Sequence, residues 1–197
     1  FVAQGEAKPS FSYPLRPLFL LCAVGLALAA YGQEQRLLLS AGPERTAALR
    51  RLLVLEPRNS GLYFELREAG ARSGASAELL QRAVALSPSN ALYRFRLAEA
   101  FNMLGRREEA RRQLSVCLEL EPNFAAAALA LARLRLAEGD SASARAMLDS
   151  ARGIAERFAV YRPASAYEAQ LLAFDPREAQ RLDSALKSER RRSERIR

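Results

Sequence analysis

The chain has 197 residues, half of them apolar, with 30 Lys+Arg against 22 Asp+Glu, a net charge of +8, and neither His nor Trp. Without His, a Ser-His-Asp triad and any His-ligated metal site are excluded within it, and the 50% apolar, 26% charged balance excludes a disordered polymer. Lys187 to Arg197 carries six cations against two acids; half of the excess charge is thus a short tail, not the basic stripe that nucleic acid requires, and no nucleic-acid partner is expected.

Residues 1–16 are polar and mixed, a juxtamembrane segment holding Lys8, Pro9, Pro14 and Arg16. No charge interrupts Leu18 to Gly32. Those fifteen residues rise roughly 22 Å as a helix, short of the ~30 Å hydrocarbon core. Extension to Tyr13 and Gln35 closes the gap, with Arg16 snorkelling and Tyr13 and Tyr31 as interfacial aromatics. Residues 17–40 are therefore read as one transmembrane helix and its extension, contacting the bilayer through residues 16–35. Two readings compete. One is a signal-peptide core, since Ala27-Leu28-Ala29 before Ala30 resembles a small-residue cleavage site. The other is a buried helix of a soluble domain. The first residue is Phe, not Met, so further chain, with further spans, is expected upstream. Lys8 and Arg16 on one side and Arg36 and Arg45 on the other leave the orientation open.

From residue 43 the chain repeats itself. Gly42-Pro43 opens a helix from Glu44 to Leu55, with Leu49, Leu52 and Leu55 as core positions. Pro57 to Pro88 forms a short unit of 31, missing roughly one helical turn near Gly70 to Gly74. Then a period of 34 sets in: Pro88 and Pro122, Gly105 and Gly139, Leu97-Ala98 and Leu131-Ala132, Ala110 and Ala144, Leu114 and Leu148. Ala83, Cys117 and Ala151 extend it to a triple, as do Leu86, Leu120 and Ile154. A helix–turn–helix unit of this length carries the small residues that let two helices approach closely, a Gly for the turn and a Pro at the end. Asn59, Asn90 and Asn123, each following a Pro, are candidate N-caps. Counted from Ala91, eight key positions resemble the tetratricopeptide repeat (TPR): Leu97, Ala98, Phe101, Gly105, Ala110, Leu114, Cys117 and Pro122. The unit from Ala125 departs at Arg135, where an aromatic belongs, and at Glu156, where the proline belongs. The expected fold is all-α, a TPR-like helical-hairpin solenoid over residues 43–174, preceded by one transmembrane helix.

After Glu156 the period is lost. Pro163 to Phe174 reads as one more helix, a capping half-repeat. Asp175-Pro176 restarts a helix that fades into the Arg-rich end, so residues 175–197 are read as a C-terminal helix and basic tail.

Nothing catalytic rises above background: no P-loop, no GxGxxG, no metal spacing. Glu108-Glu109 and the neighbouring arginines read as a solvated, ion-paired helix face. Cys22 and Cys117 form no CxxC and read as small buried apolar residues with no bond between them. No catalytic residue, cofactor or metal is expected in this stretch of chain. A binding surface is. In the TPR resemblance, the first helix of each unit lines a concave groove, which here implies Leu92, Phe95, Glu99, Asn102, Met103, Leu129, Arg133 and Leu136. The family's carboxylate-clamp version uses Lys and Asn at such positions, whereas Phe95 and Glu99 stand here. An apolar protein or peptide partner is therefore expected rather than an acidic C-terminus. Glu99 and Arg133 share a repeat position and would either pair with each other or read charge on a ligand. The array's own termini covering part of the groove is the competing expectation.

The layout of Arg16-Pro17, a short span, repeats, and Tyr167, Leu171, Leu172, Asp175 and Pro176 also resembles the C-terminal part of bacterial O-antigen ligase and polymerase-like membrane proteins. That resemblance implies a TPR array on the periplasmic side of the bacterial inner membrane, in a glycan-transferring protein whose chemistry lies upstream of Phe1. The alternative is a single-pass, membrane-tethered scaffold unconnected with glycan transfer.

Overall fold

Helix stops and starts set the architecture. A computed structural model describes residues 24–26, 28–29, 31–32, 43–70 and 75–196, and among them there is no strand. The helices run α1 (Pro43–Leu55), α2 (Ser60–Glu68), α3 (Ala75–Leu86), α4 (Ala91–Met103), α5 (Arg107–Leu120), α6 (Ala125–Ala137), α7 (Ser141–Arg157), α8 (Ala166–Leu171) and α9 (Pro176–Ile196). Successive helices pack as antiparallel hairpins α2/α3, α4/α5 and α6/α7, each stacked on the next. The 34-residue period is visible directly: α4 and α6 start at Ala91 and Ala125, α5 and α7 at Arg107 and Ser141. The short unit shows its missing turn in α2, which has 9 residues where α4 and α6 have 13.

The turns inside the hairpins follow from glycine. Gly105 and Gly139 have φ of 74° and 82°, in the left-handed region where a Cβ is strained. The next residue closes each helix end: Arg106 N–H donates to Phe101 O at 2.9 Å and Asp140 N–H to Arg135 O at 2.9 Å, the Schellman arrangement. At the starts, Asn59 accepts from Gly61 N–H and Asn90 from Tyr93 N–H, both at 3.1 Å. Asn123 does not cap. It follows its proline by one residue where Asn59 and Asn90 follow by two, so Phe124 takes the cap position without a side-chain bond. Asn123 instead accepts from Arg157 at 3.2 Å.

The core is built from the repeated small and aliphatic positions. Ala98, Phe101, Ala110, Leu114 and Cys117 are all at most 3% exposed in the central cluster. Leu49, Leu52, Leu62 and Leu66 form a separate cluster at the N-terminal end. Leu55 does not join it and is 64% exposed. Each step of three residues turns the helix only ~300°, so Leu55 has rotated off the face that Leu49 and Leu52 share. Cys117 is fully buried and donates to Ala91 O at 3.3 Å; burial pushes its thiol up to about 12, leaving it unreactive. Cys22 lies outside the described residues. Ala98 sits where α4 meets its neighbours with 1% exposure. Ala98→Leu should overpack that contact and cost ~1–3 kcal/mol, read as a lowered urea midpoint with unchanged helicity. An unchanged midpoint would contradict the register.

The two ends depart from expectation. Without a proline at Glu156, α7 runs to 17 residues, past the point where α5 stops. The helix expected over residues 163–174 shrinks to α8, six residues with none buried, opened by Ser165 accepting from Glu168 N–H at 3.1 Å. The restart holds: Asp175 accepts from Arg177 N–H at 2.8 Å. The expected C-terminal helix does not fade before the Arg-rich end but runs on to Ile196, and it docks on α6 and α7 with Ala179, Leu182 and Leu186 buried beside Ala128, Leu129, Ala132, Leu148 and Ala151. Asp183 bonds Lys187 at 2.8 Å and Arg145, and lies 3.9 Å from Arg152. Lys187 and then Arg145 hold its carboxyl down at about 2, fixing α9 against α7.

The membrane span expected over residues 17–40 falls mostly outside the described residues. Those described within it are helical, and Val24, Leu26 and Leu28 are more than half exposed. Tyr31 Oη donates to Glu56 Oε1 at 2.6 Å, so this segment reaches the end of α1. Among the described residues no helix is long and apolar enough to cross a membrane.

Candidate binding groove

The first helices of two adjacent units, α4 and α6, form the floor of a cavity of about 430 Å³, and the chain between α7 and α9 forms its far wall. The floor comes from Phe95, Ala126, Leu129 and Ala130; Arg96, Glu99 and Arg133 rise at its sides; Gln170, Ala173, Phe174, Asp175 and Glu178 face them. Phe95 and Leu129, and likewise Glu99 and Arg133, recur because α4 and α6 start 34 residues apart and present the same stripe.

Phe95 is the floor's anchor, and it is mostly covered. It is 8% exposed, its ring lies 4.8 Å from that of Phe124, and the Arg96 guanidinium sits 5.6 Å above it. Arg96 is a junction between units. It bonds Glu99 at 2.9 Å and Gln170 at 3.2 Å, and lies 4.0 Å from Glu68 on α2. Its Nε is buried without a hydrogen-bond partner. Glu99 and Arg133 do not pair with each other: Glu99 holds Arg96, and Arg133 holds Glu178 of α9 at 2.9 Å. The cavity's charges are therefore largely matched in place, two cations against three acids.

Of the eight residues read from the sequence, Phe95, Glu99, Leu129 and Arg133 line this cavity. Leu92 and Leu129 are buried, at 7% and 3% exposure, and Met103, 81% exposed, stands at the far end of α4. Leu92, Asn102, Met103 and Leu136 are not in the lining. Sequence reasoning missed Arg96, Gln170 and Glu178. Arg96 occupies a repeat position outside the groove-lining set, and Gln170 and Glu178 reach the groove only through the path of the chain after α7. Glu108 and Glu109, as expected, are ion-paired on the outside with Arg111 and Arg106. Among the described residues no cluster of acids and thiols could hold a metal ion.

No family model matches the chain, and no curated protein matches it. Solved structures do. A crystal structure of MamA superposes with a TM-score of 0.57 at 21% identity, over 60% of this chain and 71% of that one. MamA AMB-1 gives 0.52 at 27% identity over 57% and 68%, and MamA MSR-1 gives 0.51 at 26% over 68% and 74%. These are TPR-type helical-repeat proteins, and the fold of this chain is TPR-like.

Proposed function

We propose that this chain is a protein-interaction scaffold tethered to a membrane, whose groove between α4 and α6 takes a protein or peptide partner. The observation that carries the binding half is the cavity with an apolar floor of Phe95, Ala126, Leu129 and Ala130 between Arg96 and Arg133. A concave apolar site with a few placed charges is what peptide recognition needs, and the likeness to MamA supports an interaction module. The membrane half rests on sequence: the uncharged run from Leu18 to Gly32, with residues 16–35 in the bilayer. In its fuller form, the array is the periplasmic, C-terminal part of an O-antigen ligase/polymerase-like protein of the bacterial inner membrane. That form rests on the layout resemblance alone: Arg16-Pro17, the short span, the repeats, and Tyr167, Leu171, Leu172, Asp175 and Pro176. The single-pass scaffold unconnected with glycan transfer needs no more than the span and the groove.

The test has two arms. Expressed in bacteria, the chain should stay with membranes through a carbonate wash, and removal of residues 1–42 should release it; release of the full chain would remove the tether. Ala126 is part of the floor and only half-buried, so Ala126→Glu alters the groove without the core loss that Phe95→Ala would bring. It should reduce recovery of a native partner ~10-fold, about 1.4 kcal/mol, at unchanged helicity. Equal recovery would remove the groove.

A further inference from the structure

The segment after α7 takes an unusual path. A continuing repeat would place its next helix beside α6. Instead the chain turns back across the groove and reaches α4 as well as α6. Gln170 bonds Arg96, 74 residues away. Tyr167 and Leu171, four apart on one face of α8, pack against the central cluster. Glu178 at the start of α9 closes the strap by pairing with Arg133. Tyr167 and Leu171 thus pack on the core while Gln170 and Glu178 meet the two arginines of the groove.

The strap is held weakly. α8 has six residues and none is buried. Isolated helices shorter than ~12–15 residues are marginal in water, so α8 depends on its cap at Ser165 and on the groove for its helicity. The seating is also incomplete, since the 430 Å³ cavity remains between strap and floor. The strap is anchored at both ends, by α7 and by the docked α9. Its local concentration at the groove is therefore that of a tethered ligand, in the millimolar range for short linkers.

We propose that residues 159–178 are a built-in occupant of the groove, and that the groove's external ligand is a short amphipathic helix with the same chemistry. Such a ligand carries an aromatic residue, a leucine four positions on, and a carboxylate placed to reach Arg133. This deepens the scaffold reading and rests on it for the existence of an external partner. The ligand competes with the strap, so its apparent affinity is lowered by the fraction of molecules whose groove is closed.

The probe is a labelled peptide of residues 162–178, titrated into the full chain and followed by fluorescence anisotropy. Two opened forms are compared with the parent: the double variant Tyr167→Ser, Leu171→Ser, and a chain in which residues 164–172 are replaced by the same number of Gly and Ser residues. The second keeps α9 tethered if the first fails to fold. Both opened forms should bind the peptide at least ~10-fold more tightly than the parent, and adding Arg133→Glu to either should remove most of that gain. Equal binding to parent and folded opened forms, or no binding to either, overturns the proposal. Peptide binding that needs an open groove, with no native partner sensitive to Ala126→Glu, would sink the scaffold reading and leave the strap standing. A native partner lost with Ala126→Glu but indifferent to strap opening would do the reverse.

Discussion

Replacing Phe124 by alanine should destabilise the array by about 3–5 kcal/mol, the usual cost of removing a buried aromatic ring from a core. Phe124 is fully buried, and its ring lies against Phe95 at 4.8 Å with a 45° tilt. It stands at the N-cap of α6, where the other units place Asn, and trades a capping bond for apolar contact between neighbouring units. Alanine would leave a cavity directly beneath the groove floor, and Phe95 would lose its partner. Urea denaturation followed by circular dichroism measures the loss. Phe124→Leu should cost clearly less, because most of the volume is kept. A Phe124→Ala midpoint close to that of the parent would mean the ring is not packed between the units.

Ending the chain after Asp175 should have an effect of similar size. Leu182 and Leu186 are 7% and 4% exposed on α9, and burying a leucine contributes about 1.5–3 kcal/mol. Their removal would also uncover Ala128, Leu129, Ala132, Leu148 and Ala151 on the last repeat, which needs a cap to remain soluble. The shortened chain should lose its cooperative thermal transition or bind a hydrophobic dye. Ending it after Arg190 keeps all three buried α9 residues and the Asp183 contacts, and should leave the melting temperature within a few degrees. If both truncations behave alike, α9 is not the cap of the array.

These two experiments fall where sequence and structure part company. Glycine at positions 105 and 139, alanine at 98 and 132, and leucine at 114 and 148 predict the hairpins, because each acts within a unit or between units one period apart. The missing turn of α2 was equally legible, as a spacing of 31 instead of 34. The groove could be half-read for the same reason: Phe95, Glu99, Leu129 and Arg133 sit at repeat positions whose direction the helix period fixes.

Chain composition determined the absence of histidine chemistry, and the period determined an all-α repeat array with α4 and α6 side by side. What only the tertiary structure decided is everything aperiodic. It placed Phe124 in the core, because a cap position one residue out of step with its Asn had an apolar space to fill. It docked the C-terminal helix as a cap, because the face of α6 and α7 had no further repeat to cover it. It also paired Arg133 with Glu178 and Arg96 with Gln170 across 45 and 74 residues. No local pattern encodes those partners, since a loop without periodicity carries them to the groove, and only the folded path sets which charges meet.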